Sequence, residues 1–145
     1  MLAYSATDEL QEAWPVVEKE IVLPVERERA WELMTEEPEE WLADEVELEP
    51  EPGAPLRMAW ADGEVREGLV EEVEEERRLR FRWGDDATGV PSRVEWTIDD
   101  APGGTRVTVV ERPLVPLELR GVAIPWTPWS ARLTGLARAA ALVAA

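Results

Sequence analysis

The chain has 145 residues, of which 15 are basic and 32 acidic, so its formal net charge is −17. This length predicts one domain, and a hydrophobic share of 45% is ordinary for a globular core. The excess of acid repels phosphate backbones and anionic lipid headgroups, so we expect neither a nucleic acid nor a membrane as a partner. The chain has no Cys and no His, which excludes disulfides, thiolate or imidazole catalysis and the common zinc sites.

The N-terminus has no basic region followed by an apolar one, and the chain has no 18-residue apolar run. Neither a secretory signal nor a membrane span is therefore predicted, and the cytoplasm is the expected location. Residues 105–145 contain five basic and two acidic groups, so the acid belongs to the earlier part of the chain. No repeat or linker accompanies this shift, which favours a single domain over 1–145 with an N-terminal extension at 1–14.

The first predicted elements are a strand and two short helices. Residues 16–23 (VVEKEIVL) predict a first strand, which ends before a proline. In the following segment, 26–45, Trp31 and Met34 lie at helical spacing, and Pro38 interrupts the pattern. Two helices in tandem are the simplest interpretation.

From residue 46 to about residue 111 the apolar period becomes two, which is typical of strands. Short turns at Asp62-Gly63 and at 102–104 join them, so the segment predicts an antiparallel meander with one apolar face. The positions predicted on that face are Leu56, Met58, Trp60, Val65, Leu69, Val73, Leu79, Phe81, Trp83, Val94, Trp96, Ile98, Val107 and Val109.

The last predicted element is a helix. Residues 113–128 hold four prolines and favour a loop or a short helix. Thr127 followed by Pro128 is a helix-start signal, because a hydroxyl caps the first turn and proline suits its first position. A C-terminal helix is therefore expected over 128–144. Its apolar face contains Trp129, Leu133, Leu136, Ala140 and Val143.

This element order resembles the helix-grip fold, which START domains and the birch-pollen allergen share within the SRPBCC superfamily. Four local patterns are similar to the branch named for homologues of the heat-shock-chaperone ATPase activator. They are VERERAWELMTEEPEEW at 25–41, EGLVEEVEEERRLRFRW at 67–83, GGTRVTVVE at 103–111 and PWTPWSARLTGLARAA at 125–140. The resemblance covers roughly residues 16–145.

The resemblance implies an α+β helix-grip fold, in which a curved antiparallel sheet and two short helices wrap around a long C-terminal helix and leave a cavity. The superfamily includes lipid and hormone carriers, polyketide aromatase/cyclases, self-sacrificing antibiotic-resistance proteins and co-chaperone domains. The fold therefore does not choose a function. No cofactor and no metal are expected.

Eight tryptophans are the most informative feature of the composition. Indoles on an apolar face can be core filler, or they can line a pocket and stack on a flat ligand while their N–H groups orient it. Both interpretations stay open for each residue. The candidates for lining a cavity are Trp31, Trp41, Met58, Trp60, Leu69, Phe81, Trp83, Trp96, Ile98, Trp129, Leu133 and Leu136.

The charged residues give weaker signals. Arg57, Arg80, Arg82 and Arg93 alternate with apolar positions, so they are expected outside the sheet in pairs with glutamates. An inward arginine that anchors an anionic ligand requires a bulge that reverses the alternation. The glutamate runs predict a solvated surface. The pair Asp85 and Asp86 lacks the spacing of a calcium loop.

Three functions follow for comparison. The first is a non-enzymatic or weakly catalytic binder of a small hydrophobic molecule, aromatic or polycyclic, held between the sheet and the C-terminal helix. The second is a polyketide cyclase/aromatase-like enzyme, which requires an inward ionisable residue; Tyr4, in the extension, is a poor candidate. The third is a chaperone-regulating interaction module. A homodimer or a protein partner is left open.

Overall fold

The computed structural model describes residues 16–85, 91–114 and 128–144. The predicted N-terminal extension, with Tyr4, and almost all of the predicted loop at 113–128 lie outside them. The strands are β1 (Val17–Leu23), β2 (Glu45–Leu48), β3 (Pro55–Ala59), β4 (Val65–Glu74), β5 (Arg78–Asp85), β6 (Pro91–Ala101) and β7 (Gly104–Pro113). The helices are α1 (Arg27–Thr35), a 3-10 helix (Pro38–Glu40) and α2 (Trp129–Ala144).

The strands form one antiparallel sheet in the order β1-β7-β6-β5-β4-β3-β2. Strands β2 to β7 pair with their chain neighbours, as a meander does, and β1 pairs with β7 across the length of the chain. Helix α2 packs against β1, α1 and the 3-10 helix. This arrangement confirms the predicted α+β helix-grip fold.

The inner face of the sheet follows the predicted alternation on β5, β6 and β7. Val94, Trp96 and Ile98 on β6 are buried, and the residues between them are partly exposed. Val107 and Val109 on β7 follow the same rule. Burying one apolar face is what fixes this register, because a slip of one residue would turn every side chain to the other side.

Strand β4 departs from the predicted alternation. The alternation predicts Val65, Leu69 and Val73 on the inner face. Val73 packs against the core, but the buried residues in the first half of the strand are Arg66 and Val70. The register with β5 shifts between Val70 and Glu72, which is the mark of a β-bulge, and the phase of the strand changes there. The prediction for Val65 and Leu69 is therefore wrong. Both lie on the face of β4 opposite to Arg66.

Two glycines allow close approaches that shape the sheet. A Cβ at Gly68 on β4 would lie 1.8 Å from the carbonyl oxygen of Arg82 on β5. A Cβ at Gly104 would lie 1.8 Å from the carbonyl oxygen of Leu23 on β1, and Gly104 has a φ of +152°. No other residue fits these positions without moving the backbone.

The helical segment after β1 contains one α-helix and one 3-10 helix in place of two α-helices. Helix α1 buries Ala30, Trp31, Leu33 and Met34 against the core. Pro38 then occupies the first turn of the 3-10 helix, where its missing N–H costs nothing. The arrangement of two short helices in tandem is as predicted.

Helix α2 begins at Trp129, one residue after the expected start at 128, and has 16 residues. Its buried positions are Trp129, Leu133, Leu136 and Ala140, which face the sheet and α1. Within residues 16–85, 91–114 and 128–144, no helix is long and apolar enough to cross a membrane.

Substituting Gly68→Ala is expected to lower the free energy of unfolding by about 2–3 kcal/mol, because the added methyl overlaps the backbone of β5. Urea denaturation measures this change. Gly135→Ala is the matched control: its Cβ would lie 3.8 Å from Trp41 Cα, an ordinary contact, and alanine favours the helix. Equal midpoints for the wild type and Gly68→Ala would contradict the proposed close approach.

Candidate functional site

Aromatic rings form a continuous row in the interior between the sheet and α2. The ring centroids of Trp41 and Trp96 are 5.2 Å apart, and Phe81 lies 5.3 Å from Trp96. Phe81 lies 5.1 Å from Trp83, which in turn lies 6.1 Å from Trp129 and 6.3 Å from Trp60. We call these six residues the aromatic row: Trp41, Trp96, Phe81, Trp83, Trp129 and Trp60.

Two neighbouring strands and one helix contribute four of the rings in the aromatic row. Phe81 and Trp83 come from β5, Trp96 comes from β6, and Trp129 opens α2. Trp83 and Trp129 are stacked, with 19° between their ring planes. The contact between strand and helix is therefore made by flat aromatic surfaces, which adds to the stability that burial of their area provides.

One end of the aromatic row surrounds a buried carboxylate. Glu111 on β7 is 1% exposed. The indole N–H of Trp129 donates to its Oε1 at 2.8 Å, and that of Trp83 donates to its Oε2 at 3.1 Å. The hydroxyl of Ser92 donates to Oε2 at 2.5 Å. Both oxygens are thus engaged, so Glu111 is built as an anchor between β5, β6, β7 and α2.

Arg66 supplies positive charge beside this carboxylate. Its Nη1 lies 3.8 Å from Glu111 Oε2, and its Nη2 lies 3.2 Å from Glu64 Oε1. The guanidinium carbon lies 4.7 Å from the ring centroid of Trp83 and 5.9 Å from that of Trp60. A buried cation held by carboxylates and by aromatic faces avoids the full cost of leaving water.

The indole N–H groups differ between the two ends of the row. Trp60 donates to the carbonyl of Leu42 at 3.0 Å, and Trp83 and Trp129 donate to Glu111. The N–H groups of Trp41 and Trp96 are buried and make no hydrogen bond within the described part of the chain. The interior thus has one satisfied polar end and one end with donors only.

A cleft of about 240 Å³ opens beside Trp41, between the 3-10 helix and α2. Arg132 on α2 lies in its wall, with its guanidinium carbon 5.7 Å from the ring centroid of Trp60. Its lining residues are Glu39, Glu40, Trp41, Ala43, Asp44, Ala131, Arg132 and Gly135.

A second, larger groove of about 460 Å³ lies beside α1, where Trp31 meets the loop between β2 and β3. Its lining residues are Trp31, Glu49, Pro50, Glu51, Pro52, Val73 and Glu75. Trp31 itself is 8% exposed, so it forms the apolar floor beneath three glutamates.

The outer face of the sheet carries the predicted ion pairs. Arg93 donates two hydrogen bonds to Glu71, at 2.7 and 3.1 Å, and these bonds hold the pKa of Glu71 below its ordinary value. The same bonds raise the pKa of Arg93. Arg80 pairs with Glu72 at 2.9 Å. These arginines stabilise the sheet modestly, as exposed pairs do, and do not reach the interior.

Most of the predicted cavity residues lie together in one core. Leu69 does not, because it lies on the opposite face of β4. Trp60 is half-buried and packs against the core. The buried candidates are Trp31, Trp41, Met58, Phe81, Trp83, Trp96, Ile98, Trp129, Leu133 and Leu136. That they contact a ligand stays a prediction.

Sequence reasoning missed the polar part of the site. Glu111 continues the two-residue period of Val107 and Val109, so its inward position could have been inferred from the strand pattern. Ser92 lies two residues before Val94 on β6, so its inward position could have been inferred in the same way. No such pattern indicated that Arg66 points inward, because the sequence alternation of β4 does not reveal its bulge.

No group of acidic side chains that could hold a metal ion occurs within residues 16–85, 91–114 and 128–144. Of the weak calcium-loop pattern considered above, Asp85 ends β5 and Asp86 lies outside the described residues.

The curled sheet, the gripping helix and the aromatic interior define a helix-grip protein of the SRPBCC superfamily. The sequence profile of the family described as Activator of Hsp90 ATPase homolog 1-like protein matches residues 24–138. The chain belongs to this family, as the four sequence patterns predicted.

Solved structures agree with this assignment. DynU16, a protein of the dynemicin biosynthetic locus, is similar at 25% identity with a TM-score of 0.71. The match covers 85% of this chain and 46% of DynU16, so this chain spans about half of that protein. Protein MLL2253 from Mesorhizobium loti matches at 23% identity and a TM-score of 0.71, over 86% of this chain and 95% of its own. Protein NE0264 from Nitrosomonas europaea matches at 17% identity with a TM-score of 0.69, over 88% of this chain and 95% of its own. A search of curated protein sequences found no match.

Substituting Glu111→Gln is expected to lower the free energy of unfolding by roughly 3 kcal/mol. The amide nitrogen would face N–H and O–H donors, and Arg66 would lose a buried counter-charge. Urea denaturation of the full chain measures the loss. Glu95→Gln, on the outer face and 3.9 Å from Arg78, is the control and should cost less than about 0.5 kcal/mol. If both variants unfold at the same midpoint, Glu111 is not an anchor.

Proposed function

We propose that the protein binds a small hydrophobic, aromatic or polycyclic molecule between the sheet and α2. The observation that carries this proposal is the aromatic row, six rings in continuous contact that come from the sheet, from α2 and from the segments after the 3-10 helix and β3. Flat aromatic walls bind flat apolar ligands by stacking and by removing area from water. The helix-grip fold of the family supports the same function.

The polar groups at the end of the aromatic row fit a binding role. Glu111 has both oxygens engaged, so its contribution is to hold Trp83 and Trp129 in fixed orientations. Walls held in this way are preorganised, and binding then costs less side-chain entropy. The cytoplasmic location, a homodimer and a protein partner remain predictions.

A second candidate, a cyclase-like enzyme, is favoured by one specific observation. The sequence-based hypothesis requires an inward ionisable residue, and Arg66 is inward and buried against Trp83. A guanidinium there could stabilise the negative oxygen that forms when a carbonyl compound loses an α-proton. The similarity to DynU16, whose gene belongs to a biosynthetic locus, is compatible with this candidate.

Binding is tested with N-phenyl-1-naphthylamine, a neutral apolar dye whose emission rises in dry surroundings. We expect saturable 1:1 binding that urea abolishes. Phe81→Leu keeps an apolar side chain but removes the ring that joins Trp83 to Trp96. It should weaken binding roughly three- to tenfold, as loss of one stacked ring predicts.

The matched control for the dye experiment is Leu23→Val, which shortens a fully buried side chain that belongs to β1 and not to the aromatic row. It should lower stability while the dye affinity stays the same. Absence of saturable binding to the wild type, with this dye and with a panel of lipids, flavonoids and polyketides, would refute the proposed function.

The cyclase-like candidate is tested with 1-phenylbutane-1,3-dione in D₂O. The α-proton leaves to solvent, a deuteron replaces it, and NMR follows the exchange. The protein should accelerate this exchange. With Arg66→Gln the acceleration over buffer should be roughly a hundredfold smaller. Dye binding shows whether the variant is folded. Exchange at the rate of buffer alone with the wild type would reject this candidate.

A further inference from the structure

Two tryptophans in the interior carry hydrogen-bond donors that nothing in the described chain accepts. The indole N–H groups of Trp41 and Trp96 have no partner within residues 16–85, 91–114 and 128–144. The side chains are deeply buried, at 5% and 0% exposure. By contrast, Trp60, Trp83 and Trp129 each donate to an oxygen of the protein. The two unmatched donors therefore form a distinct end of the aromatic row.

Unmatched donors favour one kind of ligand atom. A buried N–H without an acceptor costs stability, and a ligand oxygen that accepts from it recovers that cost. The rings of Trp41 and Trp96 lie 5.2 Å apart at 56°, so the two donors belong to side chains in direct contact. A carbonyl oxygen has two lone pairs and no hydrogen of its own, and it is the group that two donors select.

The cleft beside the 3-10 helix provides the approach to this pair. Trp41 lies in its wall and contacts Trp96 directly behind it. Arg132 lines the same cleft, and its Nε is a further buried donor with no partner in the described part of the chain. Gly135 on α2 lines the same cleft, and a Cβ there would lie 3.8 Å from Trp41 Cα. Both N–H groups are covered, so a ligand can reach them only when this part of the structure moves.

We propose that the ligand of this protein is an aromatic carbonyl compound, a ketone or quinone, whose oxygen accepts from Trp41 and Trp96 while its rings extend along the aromatic row. The inference rests on the proposed function and deepens it by naming the class of ligand. It also names the cleft between the 3-10 helix and α2 as the entrance.

The test compares fluorene with 9-fluorenone, two planar molecules of almost the same shape that differ by one carbonyl oxygen. Isothermal titration calorimetry of the full chain measures both affinities. The wild type is expected to bind 9-fluorenone about tenfold more tightly than fluorene, the gain that hydrogen bonds to two buried donors provide. In ¹H–¹⁵N spectra, 9-fluorenone should move two indole N–H protons further downfield than fluorene does.

Two variants test whether the preference for 9-fluorenone depends on Trp41 and Trp96. Trp41→Phe and Trp96→Phe each keep an aromatic ring and remove one donor, so the preference for 9-fluorenone should fall to about threefold in each. Trp60→Phe is the matched control, because its N–H is already bonded to Leu42. It should weaken both ligands alike and leave their ratio near tenfold. The loss of one indole signal in each variant assigns the spectra.

Entry through the cleft is tested at Gly135. Gly135→Leu should fill the cleft and slow the association of 9-fluorenone at least tenfold, whereas Gly135→Ala, whose Cβ makes ordinary contacts, should not. Equal association rates of 9-fluorenone with the two variants would show that this cleft is not the entrance.

The outcomes separate the two proposals. If both molecules bind the wild type with equal affinity, the inference about the carbonyl is wrong and the proposed binding function stands. If neither molecule binds although the dye does, the inference is wrong and the proposed binding function stands. If the dye and the panel of lipids, flavonoids and polyketides also fail to bind, both proposals fail. Since the ratio in the wild type decides, a variant that does not fold leaves the test intact.

Discussion

Glu111 is the constraint on which the rest of the interior depends. A carboxylate that is 1% exposed must have partners, and here they come from β5, β6 and α2. The indoles that donate to it, Trp83 and Trp129, stack on each other, so satisfying one charge fixes the orientation of the helix against the sheet. Apolar packing alone would hold α2 with less directional preference, because hydrophobic contact is not directional.

The same requirement explains why the two ends of the interior differ. At the Glu111 end, acceptors and donors match, and Arg66 adds a cation between aromatic faces. At the end formed by Trp41 and Trp96, donors outnumber acceptors. An interior built for stability alone would match both ends or fill the second one with apolar side chains. Trp41, one of these two donors, lies in the wall of the cleft beside the 3-10 helix.

Much of the fold could be predicted from the pattern of the chain, and so could most members of the aromatic core. The alternation of Phe81 with Trp83, and of Val94 with Trp96, indicated the inner face directly, because burial of one face imposes a period of two. Glu111 obeyed the same period but was overlooked because carboxylates are rarely buried. Leu69 and Arg66 could not be assigned correctly, since the bulge that exchanges their faces arises from pairing with β5.

The sequence by itself determined the element order, the family and the inventory of groups, including the absence of His and Cys. These follow from local pattern and composition. Only the tertiary structure decided which polar groups meet inside, because Arg66, Ser92 and Glu111 come from three strands and a bulge sets the phase of one. It also decided which indole N–H groups find an oxygen. That depends on distances between residues far apart in the chain, which no local pattern records.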